Sequence, residues 1–394
     1  MLRSALLITL ALGLTACISP PPFDRSGRCV TESVTLDADF DGGGLSACRV
    51  VAKDTIDVLL EPEDEPINPS PWYALRLTPN ASTTEDVTIN LIYTVHPHRY
   101  QPKVSPDGRQ WTYLDQARIA TTSDGMRATL TIPLDANPVY VAGQELLTQA
   151  DYSKWLAPFQ RRSDLTIDTI GHSVENRPLT MVSSDTPLSE GSVVLVGRQH
   201  PPELTGAIAM LAFVEEVLGD SALAERFRGR FNVYAVPFLN PDGVKRGYWR
   251  HNTQGTDLNR DWGPFVQPET RAIKDLLDRL ANAPATRPVV FLDFHSTRRN
   301  VFYTQFVGED GTDYRFTQRW LSQSHPQLPN YVFGRAERPQ TDLATSKNYV
   351  HGRFSIPAIT YEVGDETDRV QTDYAARVFA REMMRVLLEH HRAP

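Results

Sequence analysis

Four apolar runs in the second part of the chain, GSVVLVGRQ, FNVYAVPFLN, RPVVFLDFH and IPAITYEVG, stop at polar residues: His200, Asn240, His295 and Glu362. Runs that are apolar at nearly every position suit strands buried on both faces. Helical stretches at Thr205–Leu218, Pro268–Ala281 and Tyr374–His390 alternate with them. The alternation predicts an α/β domain with a largely parallel sheet and helices on its faces. In such sheets ligands sit beyond the carboxyl ends of the strands. Polar residues that end their strands along one edge therefore predict a site at that edge.

The first part has another rhythm. TIDVLLEP, WYALRLTP, DVTINLIY, RATLTIPL and PVYVAG are short strand-like runs, punctuated by Pro, Asn and Asp-Gly. They predict an N-terminal antiparallel β-sandwich over 29–148, followed by a catalytic-type domain over 149–394. At 394 residues, with 41% hydrophobic and 22% charged, the chain has material for two cores. Its formal charge of −8 argues against nucleic acid as a partner.

The leader MLRSALLITLALGLTAC carries Arg3, an apolar stretch from Ala5 to Leu14 and small residues before Cys17. The apolar part is too short to span a bilayer, so residues 1–16 read as a signal peptide. Leu14-Thr15-Ala16-Cys17 resembles the lipobox of bacterial lipoproteins, which implies lipid on Cys17, a membrane tether and a short stiff linker over 17–28. Ile18 follows where an Asp would imply inner-membrane retention, so the expected anchor is the outer membrane, facing the periplasm. Cys29 and Cys48 then remain outside the cytoplasm, where an oxidising compartment favours pairing; two buried thiols are the alternative.

The stretch GRQHPPELTG raises the question of a metal. His200 and Glu203 stand three residues apart between a strand and a helix. In a chain with ten histidines this spacing arises by chance about once. Pro201 and Pro202 suit a first helical turn, where Glu203 would complement the helix dipole. Zinc in a hydrolase needs three protein ligands and an open position for water. His295, ending a very apolar strand, is the candidate third ligand.

Further residues carry a resemblance. IGHSVENRPL, H-x-x-E, NPDG…R…GTDLNR, a strand-end His and TYE, in this order, resemble the zinc carboxypeptidase family. HPPE, DLNRDW, DADFDGGGLSACRVV, WYALRL and SPDGRQW are similar to its cytosolic-carboxypeptidase branch, which carries a front β-sandwich. The resemblance implies that His200, Glu203 and His295 bind one Zn²⁺, with Asp257 fixing a zinc-bound His. Glu362 matches the general base and Arg250 the arginine that stabilises the oxyanion. Asn259 and Arg260 match the pair that grips a terminal carboxylate. Two departures stand out. Pro201 and Pro202 replace the arginine that digestive members carry inside H-x-x-E. Their substrate-capping tyrosine has no clear counterpart, Tyr349 being the candidate in the loop ATSKNYVHGRF. Lys347 and Arg353 in the same loop are candidates for meeting an acidic side chain, or are solvated. His96, His98, His390 and His391 read as surface or helix-end residues.

The expected function is a lipid-anchored zinc metallocarboxypeptidase that trims peptide or protein C-termini outside the cytoplasm. Two alternatives stay open. One is a zinc amidase acting on cell-wall peptides or N-acyl amino acids; the other is a non-catalytic binding lipoprotein, which the intact ligand set and Glu362 disfavour.

Overall fold

Alternate burial distinguishes the first half of the chain from the second. The computed structural model describes residues 21–80, 85–305, 312–338 and 342–390; the leader, Cys17 and His391 lie outside them. In Arg127–Leu134 every second side chain is buried, so one face of the strand meets the core. In Ser192–Gly197 and Asn232–Val236 every residue is buried.

The front part forms two sheets. One runs in the order Arg28–Val30, Val34–Asp37, Ala74–Pro79, Val139–Ala142, Lys103–Ser105, Thr112–Tyr113. The other runs Ala47–Ala52, Thr55–Leu60, Glu85–Tyr93, Arg127–Leu134, Ile119–Thr121. Leu36, Leu75 and Val141 from the first share one core with Val58, Ile89 and Leu130 from the second, as in a sandwich. One described pair departs from the antiparallel expectation: Thr55–Leu60 runs parallel to Glu85–Tyr93. Between these strands the chain crosses to the other sheet through Ala74–Pro79, and so returns in the same direction. Cys29 and Cys48 are joined as a disulfide, which ties a strand of one sheet to a strand of the other. Closing a loop of this size removes about 3 kcal/mol of freedom from the unfolded chain. His98 is not a free surface residue. Its Nδ1 lies 2.7 Å from the Tyr93 hydroxyl, and burial pushes it down to about 4 against the pull of Glu366.

The third sheet has eight strands, in the order Thr166–His172, Pro178–Ser184, Asn232–Val236, Ser192–Gly197, Pro288–Thr297, Ala358–Gly364, Val301–Thr304, Gly334–Glu337. The four strands from Asn232–Val236 to Ala358–Gly364 are mutually parallel. Side chains alternate across the sheet. Val193 and Leu195 face the helices Leu204–Leu218 and Arg369–His390 through Met210, Phe213, Phe379 and Met383. Val194 and Val196 face Pro268–Ala281, whose Ile273, Leu276, Leu277 and Leu280 make one apolar stripe.

Two helices differ from expectation. The last begins at Arg369 rather than Tyr374, because Asp368 caps it: its Oδ1 accepts from Gln371 N at 2.9 Å. The segment read as a loop around Tyr349 is the helix Ser346–Phe354, with Thr345 as its N-cap. Among the described residues no helix is long and apolar enough to cross a membrane.

Candidate active site

Strands Ser192–Gly197 and Pro288–Thr297 are neighbours, and the chain leaves them toward opposite flanks of the sheet, the first to Asn232–Val236 and the second to Val301–Thr304. This is the topological switch where open α/β sheets form a crevice. His200 lies just past the first strand and His295 near the end of the second; Glu362 is the in-register neighbour of His295 on the adjoining strand. The prolines shape the entry differently from the expected helix start. Pro201 and Pro202 form a turn, with Glu203 N donating to His200 O at 3.3 Å and Leu204 N to Pro202 O at 2.8 Å. The helix begins at Leu204, and Glu203 is its N-cap residue. The Glu203 carboxylate does no capping, since both oxygens face imidazoles. Gly206 brings this helix onto the sheet: a Cβ there would lie 2.2 Å from the His295 carbonyl oxygen, so only glycine allows the approach.

The two imidazoles turn the same atom inward. His200 Nδ1 is 2.8 Å from Glu203 Oε1 and His295 Nδ1 is 2.7 Å from Glu203 Oε2, while the two Nδ1 atoms are 3.2 Å apart. Outward, His200 Nε2 lies 3.0 Å from Asp257 Oδ1 and His295 Nε2 lies 2.8 Å from Asp293 Oδ2. Carboxylates at both Nε2 positions hold the protons there, which leaves each Nδ1 as a lone pair. With the Nε2 protons held outward, the Nδ1 atoms and the carboxylate at these distances call for a positive charge among them, a proton or a metal ion. The donor set therefore fits a zinc ion. The proton equilibria show the same competition. Burial would lower His295, but Asp293 and Glu203 outweigh it and hold the imidazole well above its usual range. Burial would raise Glu203, and His200 and His295 more than reverse it. Burial would likewise raise Asp257, which His200 and Arg250 hold far below the usual carboxylate range.

Around the trio lies a cavity of about 370 Å³, lined also by Glu362, Arg250, Asn259 and Arg260. Glu362 Oε2 has no hydrogen-bond partner although it is buried. Burial first, and the charge of Glu203 second, push this carboxyl up to about 7, with His295 and His200 acting the other way. Arg250 donates from Nε to Asp257 Oδ2 at 2.6 Å. Asn259 Oδ1 accepts from Ser346 N at 2.9 Å, so its N–H groups remain the donors it offers. Arg260 donates to the Asn259 carbonyl at 2.7 Å.

Tyr349 stands apart from this set. Its ring packs on Phe265 and Trp262 at 4.7 and 6.2 Å, and the cavity is lined instead by Tyr303 and Lys347. Residues two apart on a helix point to different faces, so Lys347 enters the cavity where Tyr349 does not. Arg353 pairs with Asp278 at 2.6 Å, away from the cavity. Several lining or supporting residues escaped the sequence reading. Asp293, fully buried, accepts from Gln199 Nε2 at 2.6 Å and from the Ser346 hydroxyl. Its position two residues before His295 on one strand face was a usable signal. Asn68, Ser70 and Arg99 of the front domain also line the cavity, with no local signal to mark them.

Within this fold, residues 152–265 match the zinc carboxypeptidase family, peptidase M14, a likeness to metallopeptidases that accompanies the trio His200, Glu203 and His295. The chain is also similar to cytosolic carboxypeptidases. Cytosolic carboxypeptidase 6 of Mus musculus is 26% identical over 251 residues, 57% of this chain and 46% of that protein. Its Caenorhabditis elegans counterpart is 29% identical over 236 residues, 57% of this chain and 49% of that protein. The chain thus spans about half the length of these two relatives. An uncharacterised protein of Zymomonas mobilis is 24% identical over 348 residues, 84% of this chain and 88% of that protein. In fold, a metallo-carboxypeptidase from Burkholderia cenocepacia superposes with a TM-score of 0.74 at 19% identity, covering 91% of this chain and 99% of its own.

Proposed function

We propose that the protein is a zinc-dependent carboxypeptidase that removes the C-terminal residue of peptides or proteins. The observation that carries this is the convergence of His200, Glu203 and His295 beside a half-buried Glu362 whose Oε2 is enclosed and unpartnered. Held by the trio, zinc would supply Lewis acidity to a carbonyl and make water more acidic. Glu362 takes the proton of the attacking water and returns it to the leaving amine. Arg250 offers N–H groups to the oxygen on which negative charge develops. Asn259 and Arg260 hold the terminal carboxylate of the substrate, and this grip confines cleavage to the last bond.

The same cavity favours an acidic last residue. Lys347 is buried, its ammonium bonded to Arg338 O at 2.8 Å and Asn348 Oδ1 at 3.0 Å. Burial, then the charge of Arg338, push it down to about 8. A carboxylate side chain entering beside Lys347 and Arg338 would relieve that cost.

Peptides with free and amidated C-termini, each ending in Glu or in Leu, test the proposal. Cleavage of the free peptides should exceed that of the amidated ones by about a hundredfold or more, with Glu preferred over Leu. Equal cleavage of free and amidated peptides would remove the role of Asn259 and Arg260 and favour an amidase. The envelope location rests on Leu14–Cys17 alone. In cells, Cys17→Ser should move the protein from the membrane pellet to the soluble fraction; unchanged pelleting would end the lipid-anchor proposal.

A further inference from the structure

The segment 249–257 carries two site residues, Arg250 and Asp257, yet it is held from the front domain. Glu63, between the strands Thr55–Leu60 and Ala74–Pro79, inserts its carboxylate into this segment with its side chain 6% exposed. Its Oε2 accepts from Trp249 N at 2.7 Å. Its Oε1 accepts from Arg250 N at 2.8 Å, His251 N at 2.7 Å and His251 Nδ1 at 3.0 Å. Successive backbone N–H groups that converge in this way form an anion-binding concavity, here filled by a carboxylate from the other domain. Burial would raise Glu63, but these bonds outweigh it and hold the group below the usual range.

Two further contacts come from the same front-domain loop. Asn68, its amide oxygen turned toward Arg250, accepts from Nη1 at 2.5 Å and Nη2 at 3.3 Å. Gly255, at φ +68°, passes so close to Asp64 that a Cβ would lie 2.1 Å from Asp64 Oδ2. On the opposite side Arg250 Nε is held by Asp257 Oδ2, whose other oxygen holds His200. The guanidinium is thus fixed by one catalytic-domain carboxylate and one front-domain amide, while its backbone is fixed by Glu63.

We propose that the front domain is part of the catalytic apparatus, with Glu63 and Asn68 acting as positioning residues that aim the Arg250 guanidinium into the cavity. This rests on the role given to Arg250 above. A long side chain with a freely rotating guanidinium loses the alignment that charge stabilisation requires, and misplacement of about 1 Å costs about a hundredfold in rate.

The test uses the full-length, zinc-loaded protein and a peptide with a free C-terminus. Asn68 is exposed, so Asn68→Ala should fold normally, which guards against a failure of Glu63→Gln to fold. Each variant should lower kcat by about 10- to 100-fold, with KM changed by less than about threefold and zinc content unchanged. Asn68→Asp, which keeps an acceptor, should retain kcat within about threefold of the parent. In an Arg250→Ala background the same substitutions should change kcat by less than about twofold, because their target is gone. Full activity of Asn68→Ala beside a crippled Arg250→Ala would overturn the inference alone. Effects that add in full to Arg250→Ala would overturn it equally. Unchanged kcat in Arg250→Ala itself would overturn the role of Arg250, and the inference with it.

Discussion

Glu362→Gln is expected to lower kcat by about a thousandfold or more while zinc content and fold stay as they were. Glutamine has nearly the shape of glutamate, and the strand Ala358–Gly364 around it is held by its register with His295 and its neighbours. What it cannot do is accept a proton at the atom that points, unpartnered, into the buried site. No described side chain stands ready to replace it: the other carboxylates of the centre are committed, Glu203 to both imidazoles and Asp257 and Asp293 to their outer nitrogens. Steady-state kinetics with a metal assay on the same sample decides the matter. Loss of turnover at constant zinc supports the assignment, and turnover within tenfold or so of the parent would remove Glu362 as the base.

The second large effect concerns the metal. His295→Ala should reduce bound zinc from about one per chain to a trace, and turnover with it, because two protein ligands cannot hold a closed hydrolase site. The substitution also strips Glu203 of one of its two imidazole partners and leaves Asp293 facing a void. Asp293→Asn should do less, weakening zinc by about 10- to 100-fold, since it disturbs only the orientation and basicity of the ring. Zinc titration with a competing chelator ranks the three proteins. Stoichiometric zinc in His295→Ala would show that the trio is not the binding site.

Much of this was legible in the chain because it is local. A strand that is apolar at every position and then stops at His or Glu announces both its burial and its polar end, so His200, His295 and Glu362 could be placed on one edge of the sheet. Having few cysteines in a chain with a leader-like start favoured the Cys29–Cys48 link over two buried thiols without deciding between them; the structure joins the pair. Other features were hidden for physical reasons. The helix Ser346–Phe354 lacks a clean apolar stripe, burying Ser346, Lys347, Val350 and Phe354, so no periodicity announced it, nor that Lys347 lines the cavity while the ring of Tyr349 packs on Phe265 and Trp262. Pro201 and Pro202 were read as a helix start because proline is favoured there, yet they build the preceding turn, which frees Glu203 from helix capping. Glu63 meets its partners 186 to 188 residues further along the chain and Asn68 meets Arg250 at a slightly shorter remove, and nothing in their own neighbourhood distinguishes them from other polar loop residues.

The tight seat of Gly206 against His295 has a consequence for how the centre is assembled. A helix that touches a strand with no side chain between them has no slack, so the backbone of Glu203 cannot move away from the imidazoles without lifting the helix Leu204–Leu218 off the sheet. That helix is fastened along its length by Met210, Phe213 and Val217 in the largest apolar cluster. The ligand trio is accordingly a joint machined during folding rather than a clasp closed by its ion. A metal held there would owe part of its grip to order that the sheet had already imposed.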